Sequence, residues 1–413
     1  MELSPEPGSS YPAYPDGGKQ AYSVVLGAWL TLFPASGLLN STGILQAWLS
    51  EQVSMDYTES EISWIFSSFA FLFFFGGFIV GPLFERYGSK KLLPVGALGL
   101  IISLAATSLC KSYYQYFLAF GILGGCSSSV LWNISIATLG HWFDQKRALA
   151  TGIATTAGGL GGVLFPITFT RLVPRIGFTW TMNCFALIST CCLLAGIALL
   201  KTRLPISPRR SSIMNWRGFT DLRFILTMSA IFILDWAVMV PPAYISTYAK
   251  HKGFQNMSNY LLAILNAASI VGRGVPGSIA DKIGRYNVMI LCSGVCTVSI
   301  FGLWLMVGPS SAILLIFAVL YGIFSGPAYS LTPVCVAQIC RPEEYASMYG
   351  TGYGVVSFAT LAGVPVSGGI LGVGDGANYP ALITFCGAAY AASTILFVVA
   401  RGVSTGWRFR VKF

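Results

Sequence analysis

Charge is what this chain has least of: 10% of its 413 residues are Asp, Glu, Lys or Arg, against 54% hydrophobic, and mean hydropathy is +0.69. So little polar surface excludes a water-soluble globule of this size. Histidine is scarcer still, with His141 and His251 in loops on opposite faces. No metal-ligand spacing accompanies them, so neither an enzyme nor a cofactor is expected. Cysteines are present, but Cys126, Cys184, Cys191, Cys192, Cys292, Cys296, Cys335 and Cys386 fall inside apolar runs and read as small packing residues. The glycine-rich stretches at Gly152–Gly162 and Gly350–Gly354 follow no strand and lack a phosphate-loop ending, so they read as close helix contacts. No ATP-binding domain is read, and a primary pump would need another subunit.

What the sequence does contain is long apolar runs, near 21–48, 62–84, 92–110, 113–139, 148–170, 179–200, 222–248, 258–283, 286–308, 311–339, 345–372 and 379–401. Each meets the ~20 residues that a helix needs to cross roughly 30 Å of hydrocarbon. Membrane barrels use alternating segments of about ten residues, so helices are the consistent reading. The expected fold class is all-α: a polytopic membrane protein with twelve transmembrane helices.

Net charge +10 raises the question of a nucleic-acid partner, and placement answers it. With the N-terminus cytoplasmic, nineteen bases fall on inner segments and five on outer loops, namely Lys111, Arg171, Arg175, Lys250 and Lys252. That bias places both termini in the cytoplasm and removes nucleic acid as a partner. Residues 1–20 read as a disordered cytoplasmic tail, 21–200 as one six-helix bundle, 201–221 as a cytoplasmic linker, 222–401 as a second bundle and 402–413 as a short basic tail. The expected site is the plasma membrane, with a vacuolar or other organelle membrane as the alternative.

A loop sequence occurs twice, 196 residues apart: Gly81-Pro-Leu-Phe-Glu85-Arg86-Tyr-Gly88, and Gly277-Ser-Ile-Ala-Asp281-Lys282-Ile-Gly284-Arg285. Nearly the same offset relates Gly152 and Pro166 on the fifth run to Gly350 and Pro365 on the eleventh. The halves therefore run in the same direction, about a twofold axis along the membrane normal. Glycines allow a tight turn, while Glu85 and Asp281 are suited to hold neighbouring bases or a helix N-terminus when the inner side closes. Gly81, Glu85, Arg86, Gly88, Gly277, Asp281, Lys282, Gly284 and Arg285 are thus the candidate inner gate. Lys146 and Arg147, entering the fifth run, either brace the same face or anchor topology.

The doubled loop resembles the inter-helix motif of the major facilitator superfamily, and the match covers the whole chain. Two further blocks, Pro15-Asp16-Gly17-Gly18 and Trp142-Phe143-Asp144-Gln145-Lys146-Arg147-Ala148-Leu149-Ala150-Thr151-Gly152-Ile153-Ala154, are similar to those of the monocarboxylate porter family. The fungal branch, with riboflavin-transporter-like proteins and secondary-metabolite carriers, looks closest, helped by Leu265–Arg273. The resemblance implies alternating access by two parallel pseudo-repeated six-helix bundles. It implies a small organic anion or metabolite as substrate, protons as coupling ion, membrane lipid as surroundings and a working monomer. A receptor on the same fold, or a carrier of riboflavin-like or lactate-like nutrients, stays open.

Intramembrane charge costs at least ~2.5–3.5 kcal/mol at mid-bilayer, so it marks a cavity or a partner. Asp235 and Arg273 qualify, at depths of about 20 and 15 Å from the inner end of their runs. They are expected to pair, as a coupling site that protonation or substrate breaks or as a static ion pair. Animal members of the family carry an acid where this chain has Ser269 and a lysine where it has Asn40, which argues against simple lactate–proton symport. Asn133, Tyr244, Asn266, Tyr329 and Tyr353 complete the candidate cavity set.

Overall fold

The computed structural model describes residues 14–53, 59–203, 216–308, 310–341, 344–372, 378–408 and 411–413, and among these every regular element is helical. Span 1 is Lys19–Leu39 continued by Thr42–Val53; span 2 is Glu59–Phe75 with Gly77–Tyr87; span 3 is Ser89–Thr107; span 4 runs over Tyr113–Leu139. Arg147–Leu199 is one unbroken run of helix by hydrogen bonding, yet Gly177 at φ 80° and ψ 167° turns the chain and makes it spans 5 and 6. Only glycine takes that conformation cheaply. Span 7 is Leu222–Val238 with Val240–His251; span 8 is Gln255–Ile283; span 9 is Arg285–Trp304; span 10 is Ser311–Ile339; span 11 is Tyr345–Leu371 and span 12 is Tyr379–Thr405.

The interruptions follow the sequence. Pro241 and Pro242 open the second piece of span 7, and Pro327 and Pro333 open the later pieces of span 10, because proline lacks the donor that would continue the preceding turn. The breaks in spans 1 and 7 fall at Asn40–Ser41 and Met239, so the internal repeat extends to the kinks.

Within the first half, span 1 lies against spans 5 and 6. A Cβ at Gly37 would meet the Cα of Gly161 at 3.0 Å, and a Cβ at Gly27 would meet the Leu200 nitrogen at 2.9 Å. Small residues let these backbones approach, which is how helices associate where lipid removes the hydrophobic drive. Thr31 and Ser135 hydroxyls tie spans 1 and 4 at 2.6 Å. In the second half, Ser393 donates to the Ala230 carbonyl at 2.8 Å, joining spans 12 and 7, and Tyr321 and Tyr390 hydroxyls meet at 2.8 Å. The halves meet along two seams, span 2 on span 11 and span 5 on span 8.

Two boundaries need correction, and the linker carries local structure. Part of the expected disordered tail is ordered: the Asp16 N–H donates to the Trp142 carbonyl at 3.2 Å and helix begins at Lys19, while residues 1–13 lie outside the described residues. The linker ends in a tight helical turn, Trp216–Thr220, with Gly218 packed on Met348; residues 204–215 lie outside the described residues. Finally, span 12 continues to Thr405, and Arg401 then holds the Arg408 and Val411 carbonyls, folding the last residues back on the bundle.

Candidate functional site

Both copies of the repeated loop lie at one end of the bundle, here called the basic end. Span 5 begins at Arg147 and span 11 at Tyr345, and neither Lys146 nor Glu344, the residues preceding them, caps its helix with a side chain. The unpaired N–H groups are instead satisfied from the opposite half. Asp281 accepts from the Ala148 and Leu149 N–H groups at 3.1 and 2.8 Å, and Glu85 accepts from the Ser347 N–H at 2.7 Å. A carboxylate at a helix N-terminus is favoured by the helix dipole as well as by the bonds.

The glycines permit the approach. A Cβ at Gly277 would sit 2.5 Å from the Ala148 carbonyl oxygen, and one at Gly81 would run into the Ala346 carbonyl. Deeper in, Gly350 faces the Gly77 carbonyl and Gly152 faces that of Arg273, where a Cβ would lie 2.5 Å away. Gly88 and Gly284 hold φ of 72° and 111° between consecutive spans. Arg285 lies 4.0 Å from Asp281 and donates to the Asp144 carbonyl, while buried Arg147 lies over the Tyr345 ring at 4.4 Å, joining spans 5 and 11. His141, just before span 5, packs on Phe84; burial, with Arg147 and Arg203 beside it, pushes its imidazole down to about 3.

Above this closed end, Arg273 and Asp235 are both buried, at 2% exposure each. No ion pair within 4.0 Å joins them, so the expected pair does not form. Arg273 turns toward span 5: one guanidinium nitrogen donates to the Thr155 carbonyl at 3.0 Å, and the group lies 4.7 Å from the centre of the Tyr329 ring. The ring face takes the role expected of the acid. The Arg273 Nε and the Asp235 Oδ2 have no hydrogen-bond partner among the described residues. Tyr329 is within electrostatic reach of both charges, and Asp235 also reaches Tyr349 and Tyr353.

A family model described as Major Facilitator Superfamily matches residues 24–363 and, separately, 277–410. The chain belongs to this superfamily. It is a multi-pass membrane transporter. It is 36% identical over 361 residues, 87% of the chain and 73% of the relative, to an aspyridones efflux protein of Emericella nidulans. It is 30% identical over 421 residues, 96% of the chain and 81% of the relative, to a riboflavin transporter of Saccharomyces cerevisiae. The fold is similar to that of the human organic anion transporter MFSD10, with TM-score 0.73 and 18% identity over 92% of the chain and all of the other.

In this transporter the expected site residues separate into three groups. Glu85, Asp281, Arg285 and Arg147 form the contacts between halves, with Gly81, Gly88, Gly277 and Gly284 making room, whereas Arg86, Lys146 and Lys282 are exposed. Arg273, Tyr329, Asp235 and Tyr353 gather in the centre. The remaining polar residues mainly tie helices: Asn40 donates to the Gly158 carbonyl at 2.9 Å, Asn266 to that of Gly162 at 3.3 Å, and Asn133 and Ser269 to carbonyls of their own helices at 2.9 and 2.8 Å. Tyr244 lies farther along span 7, against Gly368 of span 11.

Sequence reasoning missed the column to which Tyr353 belongs. Tyr345, Tyr349 and Tyr353 recur every fourth residue and pack as tilted rings with centres 5.5 and 4.4 Å apart; Trp132 of span 4 donates to the Tyr349 hydroxyl at 3.3 Å, and Thr332 meets that of Tyr353 at 2.8 Å. That spacing was the available signal.

Proposed function

We propose that this transporter carries an organic anion by alternating access between its two halves, coupled to protons, with the basic end in the cytoplasm. The reciprocal capping of spans 5 and 11 by acids of the opposite half carries this reading. Each cap exists only while the basic end is closed, so rocking the halves apart exposes helix termini that water then solvates. The excess of basic residues at that end supports the orientation, and the plasma membrane is the proposed location. One chain contains both halves and both seams, which fits a working monomer.

Arg273 is the proposed anion contact, since its guanidinium has an unused Nε and rests on a ring and a carbonyl that an anion can replace. Asp235 is the proposed proton site. It is buried, has an unused oxygen and is in no ion pair among the described residues. The similarity to an efflux protein supports metabolite export.

Uptake and counterflow of a labelled metabolite panel in proteoliposomes test this reading. An imposed pH gradient should drive accumulation. Asp235→Asn should lose the gradient-driven component while retaining counterflow, and Arg273→Lys should lower both at least tenfold by removing the planar contact. Gradient-driven transport by Asp235→Asn equal to wild type would reject the proton role.

A further inference from the structure

We infer that Asp16 is a positioning residue of the gate, acting through the turn that precedes span 5. Its Oδ1 accepts from the N–H groups of Asp144 and Lys146 at 2.8 and 3.2 Å. Its own N–H donates to the Trp142 carbonyl at 3.2 Å, and Tyr22 packs on Phe143 at 6.1 Å, so residues 16–22 strap the segment from both sides. The Trp142 indole fixes the far side of the turn by donating to the Lys201 carbonyl at 2.7 Å.

Two and three residues beyond Lys146 come the Ala148 and Leu149 N–H groups that Asp281 receives, and Asp144 itself offers its carbonyl to Arg285. Thus one side chain from the first half aligns the surface on which the second half closes. Asp16 holds φ 45°, the left-handed region that a non-glycine residue rarely enters, and Gly18 follows at 91°. Such a conformation persists where neighbouring contacts over-determine it. The Asp-Gly-Gly order meets this need: aspartate tolerates the region and bonds the turn, and glycine completes the reversal.

The inference rests on the gate reading proposed above, and both are tested by one spin-label distance measurement in nanodiscs. Labelled unnatural residues replace exposed Lys90 and Lys282, one on each half at the basic end. Asp16→Ala removes two hydrogen bonds and should raise the open, longer-distance fraction about fivefold. Gly18→Ala, which unseats the strap through the backbone, should do the same, while Asp16→Asn, which keeps the acceptor and tolerates the same φ, should restore the wild-type distribution. Asp281→Asn serves as the control for the gate. If Asp281→Asn opens the basic end and neither Asp16→Ala nor Gly18→Ala does, the role of Asp16 is overturned and the gate stands. If Asp281→Asn also leaves the distances unchanged, the gate reading fails and takes this inference with it.

Discussion

A single side chain can be decided by what it reaches rather than by what it is. Arg273 and Asp235 lie on neighbouring spans at similar depth, yet the arginine is bound to the Thr155 carbonyl and the Tyr329 face. Helix rotation and the long arginine stem set that choice, and neither is visible in residue spacing. His141 is a second such case. Its imidazole stays neutral when folded because burial and two nearby guanidinium groups oppose a further positive charge. An unfolded histidine protonates near 6.5, so the folded state loses stability as pH falls below that value and keeps losing it down to about 3. Thermal unfolding in detergent, followed from pH 7 to pH 4, should show wild type losing up to about 1.4 kcal/mol per pH unit more than His141→Gln. Identical slopes would show that His141 is not held neutral.

For the spans, the two gate seams share a design and differ in strength. Asp281 receives two N–H groups and has Arg285 within 4.0 Å, whereas Glu85 receives one N–H and has Glu344 of like charge nearby. Capping bonds of this kind contribute about 0.5–2 kcal/mol each. Asp281→Asn should therefore weaken closure of the basic end more than Glu85→Gln, by roughly fivefold in the open-to-closed ratio. Distance distributions across the basic end measure this, and a larger effect from Glu85→Gln would refute the ordering. The acids and glycines of these loops were legible as a repeat, and a helix N-terminus was one of two partners expected for them. Which N-terminus each acid receives became visible only when spans 5 and 11 crossed to the opposite half.

Across the whole molecule, the two bundles hold together by contact. Span 2 interlocks with span 11, span 5 with span 8, and the chain is anchored on both sides of residues 204–215 through Trp142–Lys201 and Gly218–Met348. Fragments 1–203 and 216–413, expressed together, should copurify and recover a substantial part of transport, because assembly depends on these seams. Copurification without transport would mean that the connection times the rocking motion; failure to associate would refute assembly by contact.

Hydropathy, the placement of lysine and arginine, and the 196-residue repeat by themselves determined twelve spans in two parallel halves, because lipid admits few alternatives for runs this long and apolar. They also marked Glu85, Asp281, Arg273 and Asp235, since acids and bases are rare enough in this chain for each to stand out. The tertiary structure decided the rest: that Asp235 and Arg273 stay unpaired, that Asn40 and Asn266 tie helices, and that Asp16 grips the turn before span 5. These outcomes depend on how each helix is rotated and how closely glycine lets it approach another. Such distances arise between segments more than a hundred residues apart, which local sequence pattern does not encode.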